Sequence, residues 1–88
     1  ELLSADVSPL NFKVFPNPAS SGFKVVLPGN GAYNINVFDA LGKGVLSRKK
    51  VMYEWNGNTD GWEKGIYFIQ VEDISNQRLA IHKILIEN

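Results

Sequence analysis

From Asn11 onward the sequence breaks into short runs of β-branched and aromatic residues, each closed by glycine, proline, asparagine or aspartate. That punctuation marks hairpins, and no segment sustains the apolar period of about 3.6 residues that a helix requires. Phe12 to Phe15 ends at Pro16-Asn17-Pro18, where two fixed φ angles and two missing N–H donors stop strand pairing. Gly22 to Leu27 alternates, with Phe23, Val25 and Leu27 on one face and Lys24 on the other, until Pro28-Gly29-Asn30-Gly31 turns the chain. Tyr33, Ile35 and Val37 repeat the pattern against Asn34 and Asn36, which predicts a second half-buried antiparallel strand.

Asp39-Ala40-Leu41-Gly42-Lys43-Gly44 reads as the next turn, with glycine available for positive φ. Val45 to Met52 carries Arg48, Lys49 and Lys50, charges that suit an edge strand because they discourage pairing with another molecule. Tyr53 to Trp55 reads as a further short strand and Asn56 to Lys64 as a loop. Gly65 to Asp73 is the strongest strand, with Tyr67, Ile69 and Val71 on one face and Ile66 and Phe68 on the other, so a central position is expected. After Ile74-Ser75-Asn76-Gln77, Arg78 to Glu87 forms the last strand. Leu79 and Ile81 share one parity and Ile84 and Ile86 the other, which predicts either a bulge near His82-Lys83 or a strand whose end is apolar on both faces. About seven short strands at such spacing predict an all-β chain, an immunoglobulin-like antiparallel β-sandwich.

With 88 residues the chain holds one compact core. Residues 1–10 read as a linker and 11–88 as the domain. A hydrophobic share of 44 % against 20 % charged residues excludes a disordered chain. Nine basic residues balance nine acidic ones, so no overall field draws the molecule to nucleic acid or to an anionic membrane. The absence of cysteine removes disulfides, thiolate metal sites and a cysteine nucleophile together. No apolar run approaches the roughly 18 residues of a membrane span, and Glu1-Leu2-Leu3-Ser4 lacks the pattern of a secretory signal. A start at Glu1 instead of methionine fits a piece of a longer precursor.

Nucleophilic catalysis needs a nucleophile held against a base, yet His82 is the only histidine and reads as structural or surface. Acidic residues are scattered through turns and strand ends, as on a solvated surface. Asn56-Gly57-Asn58-Thr59-Asp60-Gly61 resembles the first half of a calcium loop, but its twelfth position is Tyr67, so an Asn-Gly turn is expected instead. Tyr53, Trp55 and Trp62 either form a sugar-binding platform or plug the core, and the second reading suits a domain this small. Lys43, Arg48, Lys49 and Lys50 read as a solvated edge before they read as a phosphate site, and Gly42-Lys43-Gly44 lacks the helix of a phosphate loop. No catalytic residue, metal site or cofactor is expected.

Three motifs remain together: Val14-Phe15-Pro16-Asn17-Pro18-Ala19, then Lys64-Gly65-Ile66-Tyr67-Phe68, then Lys83-Ile84-Leu85-Ile86. In this order they resemble the type A C-terminal sorting domain of type IX secretion system substrates. The middle stretch Ile35-Asn36-Val37-Phe38-Asp39-Ala40-Leu41-Gly42-Lys43 is similar to the family's strand, aspartate and Gly-Lys turn. The central section also resembles immunoglobulin-like modules of the flagellar hook-cap type, which share the fold.

The resemblance implies an export signal that is itself no enzyme. Its partners would be the outer-membrane translocon and a cell-surface sortase of a Gram-negative cell, with a cargo domain upstream in the same precursor. Neither nucleic acid nor direct membrane insertion is implied. The precursor would cross the periplasm and reach the cell surface or the extracellular space, released or joined to lipopolysaccharide. Gly65, Tyr67, Lys83, Ile84, Leu85 and Ile86 are the implied recognition residues. Pro16, Asn17, Pro18, Ala19, Asp39, Gly42 and Lys43 are implied to be structural. Residues 1–10 would hold the cut, in the region of Ser4, Ala5 and Asp6. Local physics adds that Gly65 permits a tight backbone approach and that Tyr67 sits where a tyrosine corner would pin the strand through its hydroxyl. Alternative readings are a carbohydrate-binding β-sandwich module and a structural immunoglobulin-like spacer.

Overall fold

A computed structural model describes residues 10–87. Seven strands follow in order: β1 Lys13–Phe15, β2 Gly22–Val26, β3 Ala32–Asp39, β4 Gly44–Met52, β5 Glu54–Asn58, β6 Gly65–Asp73 and β7 Arg78–Ile86. They form two antiparallel sheets, one ordered β1-β2-β5 and the other β4-β3-β6-β7. This is the expected immunoglobulin-like sandwich. The sheets meet through the alternate residues that the sequence pattern selects. Phe23, Val25 and Leu27 face Tyr33, Ile35, Val37, Tyr67, Ile69 and Val71 in one buried cluster. Each fully buried valine or isoleucine contributes roughly 1.5–3 kcal/mol, so this interior outweighs any single surface contact. Leu10, the last residue read as linker, is itself buried in that cluster, so the described fold starts earlier than expected.

β6 lies between β3 and β7, the central place its two apolar faces predict, and β4 with its Arg48-Lys49-Lys50 run is an edge. The last strand resolves its parity conflict by being apolar on both faces. Nine consecutive pairs from Gly65↔Ile86 to Asp73↔Arg78 run without a register shift, so there is no bulge at His82-Lys83. The irregularities fall between β3 and β4, at Tyr33/Ile35 and Val37/Phe38. At the first of these Lys50 takes φ 56°. Its N–H donates to the Asn34 side-chain oxygen at 3.2 Å.

The segment read as a loop from Asn56 instead continues β5 through Asn58. Gly57 explains why. It pairs with Phe23, and a Cβ there would come within 2.7 Å of the Phe23 ring and 2.9 Å of the Trp55 ring. The glycine thus makes room for aromatic packing within a strand, a use that an Asn-Gly pair does not announce. The turn comes later, where the Trp62 N–H donates to the Thr59 carbonyl at 3.0 Å. Thr59 is buried, and its hydroxyl donates to the Ser20 carbonyl at 2.7 Å.

Candidate functional site

After β1 the chain leaves its own sheet and crosses to the outer edge of β7. Pro16 and Pro18 have no N–H to offer there, so the contacts fall to Asn17 and Ala19. The Asn17 carboxamide donates to the Lys83 carbonyl at 3.2 Å and accepts the Leu85 N–H at 3.1 Å. Ala19 then donates its N–H to the Leu85 carbonyl at 2.8 Å and accepts the Glu87 N–H at 2.7 Å, forming a parallel bridge with Ile86. A side chain and one backbone residue together replace a neighbouring strand over Lys83–Glu87.

The Asp39 turn is built from one carboxylate oxygen. Asp39 Oδ1 accepts the N–H groups of Leu41 and Lys43, each at 2.9 Å. The Asp39 N–H donates to the Lys43 carbonyl at 2.9 Å, and Gly42 supplies φ 87°. The Lys43 side chain is exposed, and Leu41 at the tip is 95 % exposed.

The Tyr67 hydroxyl donates to the Glu63 carbonyl at 2.6 Å, the tyrosine corner expected from its position at the start of β6. Burial, and then the charges of Glu63 and Asp39, push its phenol above the ordinary range. Trp62 lies against it with ring centroids 5.0 Å apart, and Trp62 and Trp55 both pack on Phe23. The tryptophans thus serve the core, as the small size of the domain predicts. Gly65 differs from expectation: no atom lies within 4 Å of where its Cβ would stand, so there is no close approach. Its φ of 146° is what calls for glycine. Between the Asp39 turn and the tyrosine corner lies an open groove of about 520 Å³, lined by Asp39, Leu41, Lys43, Trp62, Glu63 and Lys64 among others.

Ile84 and Ile86 point into the core at 0 % exposure, whereas Lys83 and Leu85 point outward. Of the four expected terminal residues, two hold the strand and two present a surface. Strand pairing joins the motifs: Gly65 is opposite Ile86, Tyr67 opposite Ile84, and Asp39 opposite Tyr67. With Ala19 bridged to Ile86, residues distant in sequence meet at one pole of the sandwich. Sequence reasoning missed the Asn17 contacts with Lys83 and Leu85, because nothing local to either segment signals the other. The pairing of proline with an intervening amide side chain was the only hint.

Other expected sites resolve locally. His82 faces inward with its ring 5.5 Å from that of Phe12. Among the described residues no group of histidine, aspartate and glutamate is arranged to hold a metal. Ser4, Ala5 and Asp6 lie outside the described residues.

Comparison with known proteins gives the pole a context. Residues 13–87 match the family model of the secretion system C-terminal sorting domain. An endo-acting ulvan lyase of Formosa agariphila is 33 % identical over 91 residues, a stretch that takes in 97 % of this chain but 15 % of the lyase. The chain thus spans a small fraction of the length of that relative. Among solved structures, PorZ of Porphyromonas gingivalis, described as an essential surface component of the type-IX secretion system, superposes with a TM-score of 0.76. That likeness covers 88 % of this chain and 11 % of PorZ at 18 % identity, and it shows the fold alone. With the family match running from β1 to the end of β7, the chain belongs to the secretion system C-terminal sorting domain family, which is not a family of enzymes.

Proposed function

We propose that this domain is the export address of a larger cargo protein and is read by the type IX secretion machinery at the pole where its motifs meet. The convergence of Asn17, Asp39, Gly65, Tyr67 and the end of β7 carries the reading, since a core needs no such gathering of turn chemistry at one end. Division of labour follows. Lys83 and Leu85 offer the translocon a charge and an apolar side chain on the surface, while Ile84 and Ile86 fix the strand that displays them. Gly65 and Tyr67 set the neighbouring corner, and Pro16 to Ala19 hold the edge.

The cargo lies upstream in the precursor and crosses the periplasm with the domain. A sortase cuts within residues 1–10, in the region of Ser4, Ala5 and Asp6, where small side chains suit a protease cleft. Cargo is then delivered to the cell surface or beyond it. The size of the matched part of the ulvan lyase supports this arrangement of a short domain with a long remainder.

The test is export of a fluorescent protein fused ahead of this chain in a host that carries the type IX machine. Lys83→Ala together with Leu85→Ser should lower export severalfold while circular dichroism and melting stay those of the parent. Unchanged export by this folded double variant would overturn recognition at the outward residues of β7.

A further inference from the structure

The sequence contains two Asn-Gly pairs, Asn30-Gly31 and Asn56-Gly57, and the fold treats them oppositely. Asparagine before glycine carries a reaction of its own. The glycine backbone nitrogen lies within reach of the asparagine carboxamide carbon, and glycine has no Cβ to screen the approach. For the two atoms to meet, that nitrogen must be free of a hydrogen bond and the backbone around it must have room to turn.

Asn56-Gly57 meets neither condition. The Leu27 N–H donates to the Tyr53 carbonyl at 2.8 Å and the Thr59 N–H to the Ser21 carbonyl at 3.3 Å, and these bonds bracket the ladder between β2 and β5. Alternate pairs between them exchange both backbone bonds, so Gly57 donates its N–H to the Phe23 carbonyl opposite. The Phe23 and Trp55 rings, which leave no room even for a Cβ, hold the backbone in place.

Asn30-Gly31 lies in the turn between β2 and β3, where Asn30 is exposed and Gly29 takes φ 65°. A closed turn would bond the Gly31 N–H to the Pro28 carbonyl. That carbonyl instead accepts the Tyr33 hydroxyl at 2.9 Å. Among the described residues the Gly31 N–H has no hydrogen-bond partner.

We infer that Asn30 is a site of spontaneous conversion to aspartate and isoaspartate in the folded protein, and that Asn56 is held back from it. Hydroxide takes the Gly31 amide proton, and the nitrogen bonds to the Asn30 Cγ. The bond from Cγ to Nδ2 breaks, and the side-chain nitrogen leaves as ammonia with a proton returned by water. A five-membered imide remains. Water then adds to one of its two carbonyls. Opening at Cγ gives aspartate, whereas opening at the backbone carbonyl reroutes the chain through the side chain as isoaspartate. Either product adds a carboxylate to a chain whose formal net charge is zero. The turn adjoins the end of β3 opposite Asp39, so the change is remote from the pole where the motifs meet and stands apart from the sorting reading.

Incubation of the folded chain in mildly alkaline buffer tests it, with tryptic peptides sequenced by mass spectrometry and isoaspartate labelled by its methyltransferase. Replacement of NH by O at Asn30 should accumulate at least about tenfold faster than at Asn56. In urea, where no ladder holds Gly57, the two rates should agree within about threefold. Gly31→Ala, whose Cβ would meet the Tyr33 ring at an ordinary 3.8 Å, should keep the parent melting transition and slow the reaction at Asn30 at least about tenfold. Equal rates at Asn30 and Asn56 in the folded protein overturn the proposal. A tenfold difference that persists in urea assigns the contrast to flanking sequence and overturns it too. A Gly31→Ala variant that reacts as fast as the parent assigns the change to direct hydrolysis of the carboxamide and overturns the imide route.

Discussion

Asn17 does with one side chain what a strand does with its backbone, donating to one residue of β7 and accepting from the residue two places on. Truncation to Asn17→Ala leaves the Lys83 carbonyl and the Leu85 N–H to water. Because the site is exposed, the cost is about 1 kcal/mol, and the sharper sign is faster exchange of the Leu85 amide. Asn17→Asp keeps an acceptor for Leu85 but loses the donor to Lys83, so exchange at Leu85 should rise less than in the alanine variant. Tyr67→Phe removes the bond to the Glu63 carbonyl and should cost about 1 kcal/mol in urea unfolding, with the ring still packed on Trp62. These two residues differ in how readable they are. Tyr67 and its acceptor are four positions apart and follow a known corner pattern, whereas Asn17 and Leu85 are 68 apart and meet only because the sandwich closes. Gly65 was legible as a special position but for the wrong cause, since the same residue serves close approach and positive φ.

At the scale of the element, β7 divides its side chains between interior and surface. Ile84→Ala and Ile86→Ala should each cost about 2–5 kcal/mol by calorimetry, while Leu85→Ala should cost well under about 1 kcal/mol. Deleting residues from Lys83 onward removes both buried isoleucines together with the partners of Asn17 and Ala19. That truncated chain is expected to lose its cooperative melting transition, so lost export after truncation would report unfolding before recognition. Alternation made most strands readable, because Phe23/Val25 and Ile69/Val71 each bury one parity. β5 hid behind Asn56-Gly57-Asn58, whose composition suits a turn. Its strand geometry depends on the Phe23 ring above Gly57, a partner contributed from more than thirty positions away. The register shifts between β3 and β4 were equally silent in the sequence, since the Asn34 side chain that supports Lys50 looks like any outward polar residue.

Across the whole molecule, two buried ionisable groups set opposite limits on the pH range of the fold. The Arg78 guanidinium at 2.9 Å, and then the Asn76 side chain, hold the Asp73 carboxyl below its ordinary value of 3.8. A depressed carboxylate stabilises the fold above the unfolded value and loses that contribution as pH falls through the lower folded one. Tyr67 is raised above its ordinary 10.0, so its contribution is complete below that value and is lost as pH rises through the folded one. Melting temperature against pH should therefore fall below about pH 4 and above about pH 10. Asp73→Asn should flatten the acid limb, and Tyr67→Phe the alkaline limb. The gathering of the motifs at one pole was not legible, since each motif reads as a local turn or strand until the Ala19–Ile86 bridge closes the sandwich. That bridge also imposes an order in time. A ribosome makes Ala19 early and Ile86 sixty-seven residues later, so the interior cannot be completed and the edge cannot be sealed until synthesis has passed Glu87. Whatever precedes this domain in a polypeptide has already been made when the fold closes, and a folded pole certifies that everything upstream of it has been synthesised.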